Sequence, residues 1–529
     1  RQSFGDCRIH DPGDLAEHSD LLVIWGRNPA VTNIHLMPVI KEVRARGGLA
    51  VLVDPVRTKT AGYVDHTVHP RPGTDGWLAA GLAQILLQEG AADLEGLRLA
   101  GGVEGYLAAV RSLSLREVAE RTGVDVATQR WLAELLVTRR PASIVQGIGL
   151  QQFERGAETF RFISALGVLS GNLGVPGGGV NFIGFPWSHV RTPHLTAADA
   201  RTVPERTVPI SRLGEVLPTV EDPPIRAALF ACGNPLNQMP DPRGFRSALD
   251  ALDFRICVDR FLTDTAEACD LFLPTTTMLE EYDYVPSYGH LWVQLQRPVV
   301  PPLGESKPDL EILQLLAARL GFGDAMAGTG PDWVDRVTEP FRAQGVSYAA
   351  LEEAGGRLWP AGLDPVPWRD GRFATPSGRF ELPTRLSEPP APPGAYPFFL
   401  VSQATDQAVN SQLDQGRQEG DLPVRMAPAA ALGLGLEDGD RAWLVSDRGR
   451  LPVRVVIDAG ARADVVVVPK GGWSGLGRNV NVLTTPRFTE GTGSAFNQNF
   501  VRVEPDGETG AGVRAGVGRG ADQLSVPGE

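Results

Sequence analysis

The sequence predicts an α/β protein: two related doubly wound α/β domains with parallel sheets, followed by a C-terminal β-barrel domain. Three observations carry this. Fully apolar runs at 21–25 (LLVIW) and 49–53 (LAVLV) flank a stretch with helical apolar spacing, the pattern of buried parallel strands joined by a helix. The same arrangement returns at AALFACGNP and FRICVD, from Ala227 onward. After a proline-rich stretch (SEPPAPPGAYP, 387–397) the pattern changes to short β runs with glycine punctuation, which suits a barrel.

The elements follow in order. IHLMPVIKEVRARGG ends in basic residues and glycines, a helix stop. Helical patterns cover 76–88, 115–121, 127–138 and 158–169, with an apolar strand, ASIVQG, ending at Gly147. The chain divides into a first α/β domain over 1–195, a second over 196–386, a linker over 387–397 and a barrel over 398–505. Hairpin turns are expected at Asp438-Gly439 and Arg448-Gly449. The Gly-rich polar tail, 506–529, predicts disorder.

Composition narrows the function. The 529 residues allow roughly three or four domains at ~150 residues each. A 42% hydrophobic and 21% charged make-up is that of a globular chain, not a disordered one. The net charge of −13 argues against nucleic acid or anionic membrane as a partner, and no apolar run reaches the ~18 residues of a spanning helix. An anionic ligand would need local loop amides and arginines. The opening RQSFGDC reads as an interior connector, so the true N-terminus is expected upstream. The four cysteines, Cys7, Cys232, Cys257 and Cys269, form no CxxC pair or cluster for zinc or an iron–sulfur centre. Cys232, Cys257 and Cys269 read as small buried hydrophobes near strand ends.

An internal repeat carries the chemistry. LLVIWGRNP precedes LAVLVDPVRTKTAGYVD; ALFACGNP precedes FRICVDRFLTDTAEACD. Asn28 lies 26 positions before Asp54, and Asn234 lies 25 before Asp259. Asp54 to Thr60 and Asp259 to Thr265 are both 6; Asp54 to Asp65 and Asp259 to Asp270 are both 11. A glycine after a parallel strand lets amides approach a pyrophosphate. The acid ending the next strand stands where Rossmann-type proteins hydrogen-bond a ribose, and the threonines offer hydroxyls. Without GxGxxG spacing, a nicotinamide-dinucleotide dehydrogenase is the weaker reading, and it leaves the duplication unexplained. Two nucleotide half-sites are expected. Each loop alone could be a plain βα turn, each aspartate a turn former.

In this order, WGRNP, VDPVRTKTA, HPRPGTD, SGNLGVPGGG, CGNPLNQ and TPSGRFEL resemble the motif series of the bacterial molybdopterin oxidoreductases, the dimethyl sulfoxide reductase superfamily. The resemblance implies bis-molybdopterin guanine dinucleotide around one Mo or W atom. It assigns Gly26, Asn28, Pro29, Asp54, Thr58 and Thr60 to one nucleotide arm, joined by Pro72, Gly73 and Asp75 and by the glycines Gly147 and Gly149. Gly233, Asn234, Pro235, Asp259 and Thr265 would serve the other. The barrel would cap the pterins through Ser402, Gln403, Asn410, Ser411, Lys470, Gly472, Trp473, Asn479, Asn481 and Asn497, since amide side chains match pterin and guanine edges; the alternative is that these are ordinary barrel turns. PSYGHLWVQLQRPVVPPLGE (286–305) is similar to a subgroup of cytoplasmic oxidoreductases of uncertain substrate. It makes Tyr288 and His290 the catalytic candidates, with a hydrogen-bonded structural role as the alternative; His35, His69 and His194 read as structural.

The family's 4Fe–4S cysteine cluster and metal ligand would lie in the missing N-terminal segment, so no metal ligand is assigned in this chain. Cys7 comes too late in the motif order. The implied function is two-electron redox of a small-molecule substrate, with an electron-transfer partner protein. The alternative is a non-catalytic cofactor-binding or structural subunit of an electron-transfer complex. A cytoplasmic location is expected, with periplasmic export left open by the missing N-terminus.

Overall fold

The computed structural model describes residues 2–182, 206, 208–287, 289–413, 415–491 and 493–506. The expected boundary at 195/196, the tail beyond residue 506, Tyr288 and His194 lie outside the described residues.

Continuous apolar runs have no polar face to offer water, so they are stable only between two covering layers. That is the arrangement of the first sheet. Its strands are β1 (Leu21–Trp25), β2 (Leu49–Val53), β3 (His66–Val68), β4 (Ala142–Gln146) and β5 (Gly179–Asn181), in the order β3-β2-β1-β4-β5. Every neighbouring pair is parallel. Leu22 and Ile24 pack with helix Leu36–Ala45 on one face. Leu21, Val23 and Trp25 pack with helices Asp75–Gln88 and Gly156–Leu169 on the other. Side-chain caps fix neighbouring helix starts: Ser114 accepts from the Glu117 amide and Asp125 from that of Thr128.

The second block holds the repeat and an addition. β6 (Ala227–Ala231), β7 (Phe254–Asp259) and β8 (Leu271–Pro274) form a parallel sheet in the order β6-β7-β8. A separate antiparallel sheet follows, β9 (Asp283–Pro286), β10 (Val293–Gln296) and β11 (Arg357–Leu358), with its own core around Val293, Val334, Val346 and Leu351. The sequence reading did not separate it. Nor does the span 196–386 act as one unit. The TPSGRFEL stretch returns to the first domain, where Phe380 and Leu382 join its core and bracket Gly101 through backbone hydrogen bonds.

The proline-rich linker is held down. Trp77 Nε1 donates to the Ser387 carbonyl (2.8 Å), and Glu158 accepts from the Ser387 amide and hydroxyl (2.6 and 2.8 Å). The barrel then closes in the order β12-β16-β13-β15-β14-β17. Its strands are β12 (Phe398–Gln403), β13 (Leu422–Met426), β14 (Arg441–Val445), β15 (Arg450–Ile457), β16 (Val465–Pro469) and β17 (Phe500–Pro505). The turn at Arg448-Gly449 joins β14 to β15 as a hairpin, with Ser446 N donating to Gly449 O. Asp438-Gly439 does not form a hairpin. It follows helix Pro428–Gly433 and opens β14, because β13 pairs in parallel with β15 and needs a crossover. Among the described residues, no helix is long and apolar enough to cross a membrane.

Candidate functional site: two matched loops under a barrel

The two loops match atom for atom at their centre. Asn28 (φ −118, ψ 73) and Asn234 (φ −119, ψ 67) share one backbone conformation, and each precedes a proline that opens a short helix. Thr60 Oγ1 donates to Asn28 Oδ1 (2.7 Å) and accepts from Ala30 N (3.2 Å). Thr265 Oγ1 donates to Asn234 Oδ1 (2.7 Å) and accepts from Leu236 N (3.2 Å). Both threonines are fully buried. The expectation that their hydroxyls serve phosphate or base is therefore corrected: they brace the loop from within. Asp65 and Asp270, the other matched pair, are braces as well, accepting from the amides of Ala50 (2.9 Å) and Arg255 (2.8 Å) where β2 and β7 begin. Thr265→Val should cost about 2 kcal/mol, since it strands the buried Leu236 amide and the buried Asn234 Oδ1. Thr60→Val should cost less, because the Ala30 amide is only part-buried and Asn28 Oδ1 still accepts from Thr60 N (3.3 Å); urea denaturation checks this, and equal losses would overturn it.

The loop glycines do not correspond as the sequence suggests. Gly26 has φ +61, and its counterpart is Cys232 with φ +56, not Gly233. A Cβ on Gly233 would meet nothing closer than 3.8 Å. Cys232 is exposed and its thiol donates to Asp309 Oδ2 (3.0 Å), so it is not the small buried hydrophobe expected. Cys257 is buried and Cys269 partly so.

In the first half-site β1 and β4 end side by side. A Cβ on Gly147 would lie 1.8 Å from Gly26 O, so only glycine permits this crossing. Gly147→Ala should lower stability by about 3 kcal/mol through overpacking against backbone, measurable by thermal or urea melting. A Cβ on Gly149 would make ordinary contacts, 3.4 Å from Gly26 O and 3.8 Å from Asn497 Nδ2. Asp54 directly follows β2, almost fully buried, and accepts from Val56 N (2.9 Å). Burial, then the neighbouring Asp75 charge, pushes its carboxyl up to about 7. Asp75, raised by burial to about 6, accepts from Trp25 Nε1 (2.8 Å). Pro72 is buried, and Gly73 (φ +77) faces Pro390 and Phe153, so the 71–75 segment seats the linker as well as Asp75.

The barrel residues divide into two kinds. Asn479 Nδ2 donates to Leu236 O (3.0 Å) and Asn481 Nδ2 to Asn237 O (2.8 Å), both buried. These amides, expected on pterin or guanine edges, clamp the barrel to the helix after the second loop. Asn497 Nδ2 donates to Gly149 O (3.0 Å) and so ties the barrel to the first loop. Trp473 Nε1 donates to Ser411 O, Gln403 Oε1 accepts from Arg425, and Ser402 lies on β12 beside Val468. Asn410 (φ +51) and Gly472 are backbone positions; a Cβ on Gly472 would meet Arg478 O at 2.1 Å. Lys470 is a cation whose ammonium burial holds below the ordinary lysine value.

His290 Nδ1 accepts from Trp292 N (3.2 Å), and burial pushes its imidazole down, with Asp11 and His35 nearby. The sequence reading missed Asp264, which accepts from Ser474 N (2.5 Å) and Gly475 N (3.1 Å). It stands beside Thr265, as Lys59 stands beside Thr60, and Lys59 also reaches the barrel, at Asp406 (2.7 Å). The threonine spacing already aligns these two positions.

Do these residues fit a paired dinucleotide? Thr58 Oγ1, Asn234 Nδ2 and Asn497 Oδ1 are buried with no hydrogen-bond partner, a condition costing about 1–3 kcal/mol each unless a ligand's polar atoms meet them. They lie on the first half-site, the second and the barrel. With the buried carboxyl of Asp54 and the half-buried ammonium of Lys470, they offer acceptor, donor and cation to a ligand carrying amide edges and phosphates. The residues fit.

The fold and site define a dinucleotide-binding α/β protein capped by a barrel. Two family models match it: "Molybdopterin oxidoreductase" over residues 11–319 and "Molydopterin dinucleotide binding domain" over residues 398–500. The chain belongs to the molybdopterin oxidoreductase family. It is 32% identical over 520 residues to the probable oxidoreductase YyaE of Bacillus subtilis, covering 93% of this chain and 77% of that protein. Identity to the dimethyl sulfoxide/trimethylamine N-oxide reductase of Rhodobacter capsulatus is 26%, covering 87% and 66%. Acetylene hydratase from Pelobacter acetylenicus shares the fold, with a TM-score of 0.78 at 20% identity over 96% of this chain and 80% of that one. The chain is that of a redox enzyme with a molybdopterin dinucleotide cofactor of Mo or W.

Proposed function

We propose that this chain is the body of a bis-molybdopterin guanine dinucleotide enzyme that carries out two-electron redox of a small substrate. Its iron–sulfur segment and metal ligand would lie upstream of residue 1, and it would exchange electrons with a partner protein. The observation that carries the reading is the duplicated Asn–Thr brace, two loops of one shape serving one ligand that has two like arms. When bound, the cofactor supplies the redox chemistry at its metal. The chain's own residues bind and orient. Asp54 offers a carboxylate to a donor edge, Asn234 an amide, Lys470 a charge to a phosphate, and the barrel asparagines hold the cap over both loops. Four unpaired thiols suit a reducing compartment, which supports a cytoplasmic enzyme. The sequence alternative of a non-catalytic subunit gains no support from loops kept intact in both copies.

The test is metal analysis of the intact protein combined with mass spectrometry of its denatured supernatant. Two guanine nucleotides per Mo or W atom are expected. One nucleotide per metal, a nicotinamide dinucleotide, or no stoichiometric metal would overturn the reading.

A further inference from the structure

The barrel meets the two copies of the half-site along seams of different chemistry. The seam to the first domain has an apolar centre: Val56, just past β2, packs in a buried cluster with Phe399, Val465 and Val467 of the barrel. Backbone bonds add to it, from Glu490 N to Glu154 O (3.0 Å) and from Asn497 N to Gln152 O (2.9 Å). Glu158 fastens linker and barrel at once. Its carboxylate holds Ser387, and its amide donates to Glu490 Oε2 (3.0 Å), whose other oxygen pairs with Arg155 (3.1 Å). The seam to the second block is polar. Among the described residues, no apolar cluster joins that block to the barrel. Helix Pro235–Gln238 and Asp264 instead meet the 474–481 segment in amide and carboxylate hydrogen bonds. On this side Asn234 Nδ2 and Asn237 Nδ2 are buried without a partner.

Thr58, Asn234 and Asn497 are all buried, so a dinucleotide reaches their free polar atoms only when one seam parts. Opening the first seam would expose Val56 and three barrel side chains to water, which the hydrophobic effect opposes. Opening the second exchanges polar bonds for bonds to water at little net cost. It also releases two amide donors that the empty closed seam leaves unsatisfied. We propose that the barrel is a door, hinged at the linker and the Glu158–Glu490 contact, that opens at the second half-site to admit the cofactor. It closes through Asp264 and the 474–481 segment once the ligand is seated, and Asn234 then gains the partner it lacks. The inference rests on the reading that a paired dinucleotide fills the space beneath the barrel. Hinged opening asks one edge of a domain to stay packed while the other separates, and the two seams supply that pair of edges.

The test compares the intact protein from cofactor-deficient cells with the holoenzyme by hydrogen exchange. Without cofactor, segments 235–239 and 470–481 should exchange at least about tenfold faster, while 152–156 and 488–498 keep their holoenzyme rates. Faster exchange at the first seam, at both seams equally, or at neither would overturn the inference, and no variant is needed. A second measurement follows nucleotide release from the holoenzyme in mild urea by mass spectrometry. Asp264→Ala should release it about tenfold faster, having lost a charged acceptor of two amides, and Glu490→Ala should release it at the unsubstituted rate. The reverse order, or equal rates, would sink the hinge as placed. A released ligand other than paired guanine nucleotides would remove the paired-cofactor reading and leave the exchange comparison standing.

Discussion

Asp54→Asn should stabilise the cofactor-free chain above pH 7 and, in cells that make the cofactor, strip the protein of one guanine nucleotide. The two effects share a cause. Burial, then the charge of Asp75, raises the Asp54 carboxyl from 3.8 to about 7. An acid whose folded value is raised binds more protons folded than unfolded. Its stability contribution is full below pH 4 and lost as pH climbs toward 7. Three units correspond to about 4 kcal/mol as an upper bound. Asparagine keeps an acceptor for the Val56 amide and carries no charge, so the slope between pH 4 and 7 should shrink to the part owed to Asp75, itself raised to about 6. Urea denaturation at pH 5 and 8, on protein from a cofactor-deficient host, measures this. A bound donor edge needs the ionised carboxylate, which is why the same substitution should empty the arm. Full nucleotide retention in Asp54→Asn would show that the carboxylate holds something else; an unchanged pH slope would move the titration to Asp75.

The sequence made the fold readable where local signals and global packing agree. β1, β2, β4 and the helices between them are apolar in the periods their final layers require. The duplicated spacings located both loops because a repeated half-site repeats its braces. What escaped was the division of labour within the motif. Thr60, Thr265, Asp65 and Asp270 hydrogen-bond their own loops and strands, and spacing alone cannot tell a brace from a ligand contact. The equivalence of Gly26 and Cys232 was hidden because a left-handed turn usually signals itself by glycine. The antiparallel sheet β9–β11 escaped because its strands are short and one partner, Arg357–Leu358, lies far along the chain. Asn479 and Asn481 read as ligand contacts since an amide suits both roles; only burial against Leu236 and Asn237 decides.

Asp264→Ala should loosen the barrel from the second half-site, whereas Lys59→Ala, at the matching position of the first, should change nothing measurable. Asp264 is 9% exposed and its carboxylate takes the amides of Ser474 and Gly475. Around it, Asn237 Oδ1 accepts from Ser474 N (3.0 Å), and Asn479 and Asn481 complete a buried network. Alanine would leave two amides without their charged acceptor, a loss of about 3 kcal/mol. It would also free the 470–481 segment that carries Lys470 and Trp473. Lys59 and Asp406 are each about half exposed, and water replaces such a pair at little cost. The first half-site is held to the barrel elsewhere, by Arg462 on the His69 carbonyl, Arg71 on Asp464 and Asn497 on the Gly149 carbonyl. Urea stability and hydrogen exchange over 470–481 distinguish the two variants. Equal losses would mean that the barrel is gripped symmetrically by the repeat. The expected inequality would mean that duplication preserved the nucleotide loops and let each copy find its own way of holding the cap.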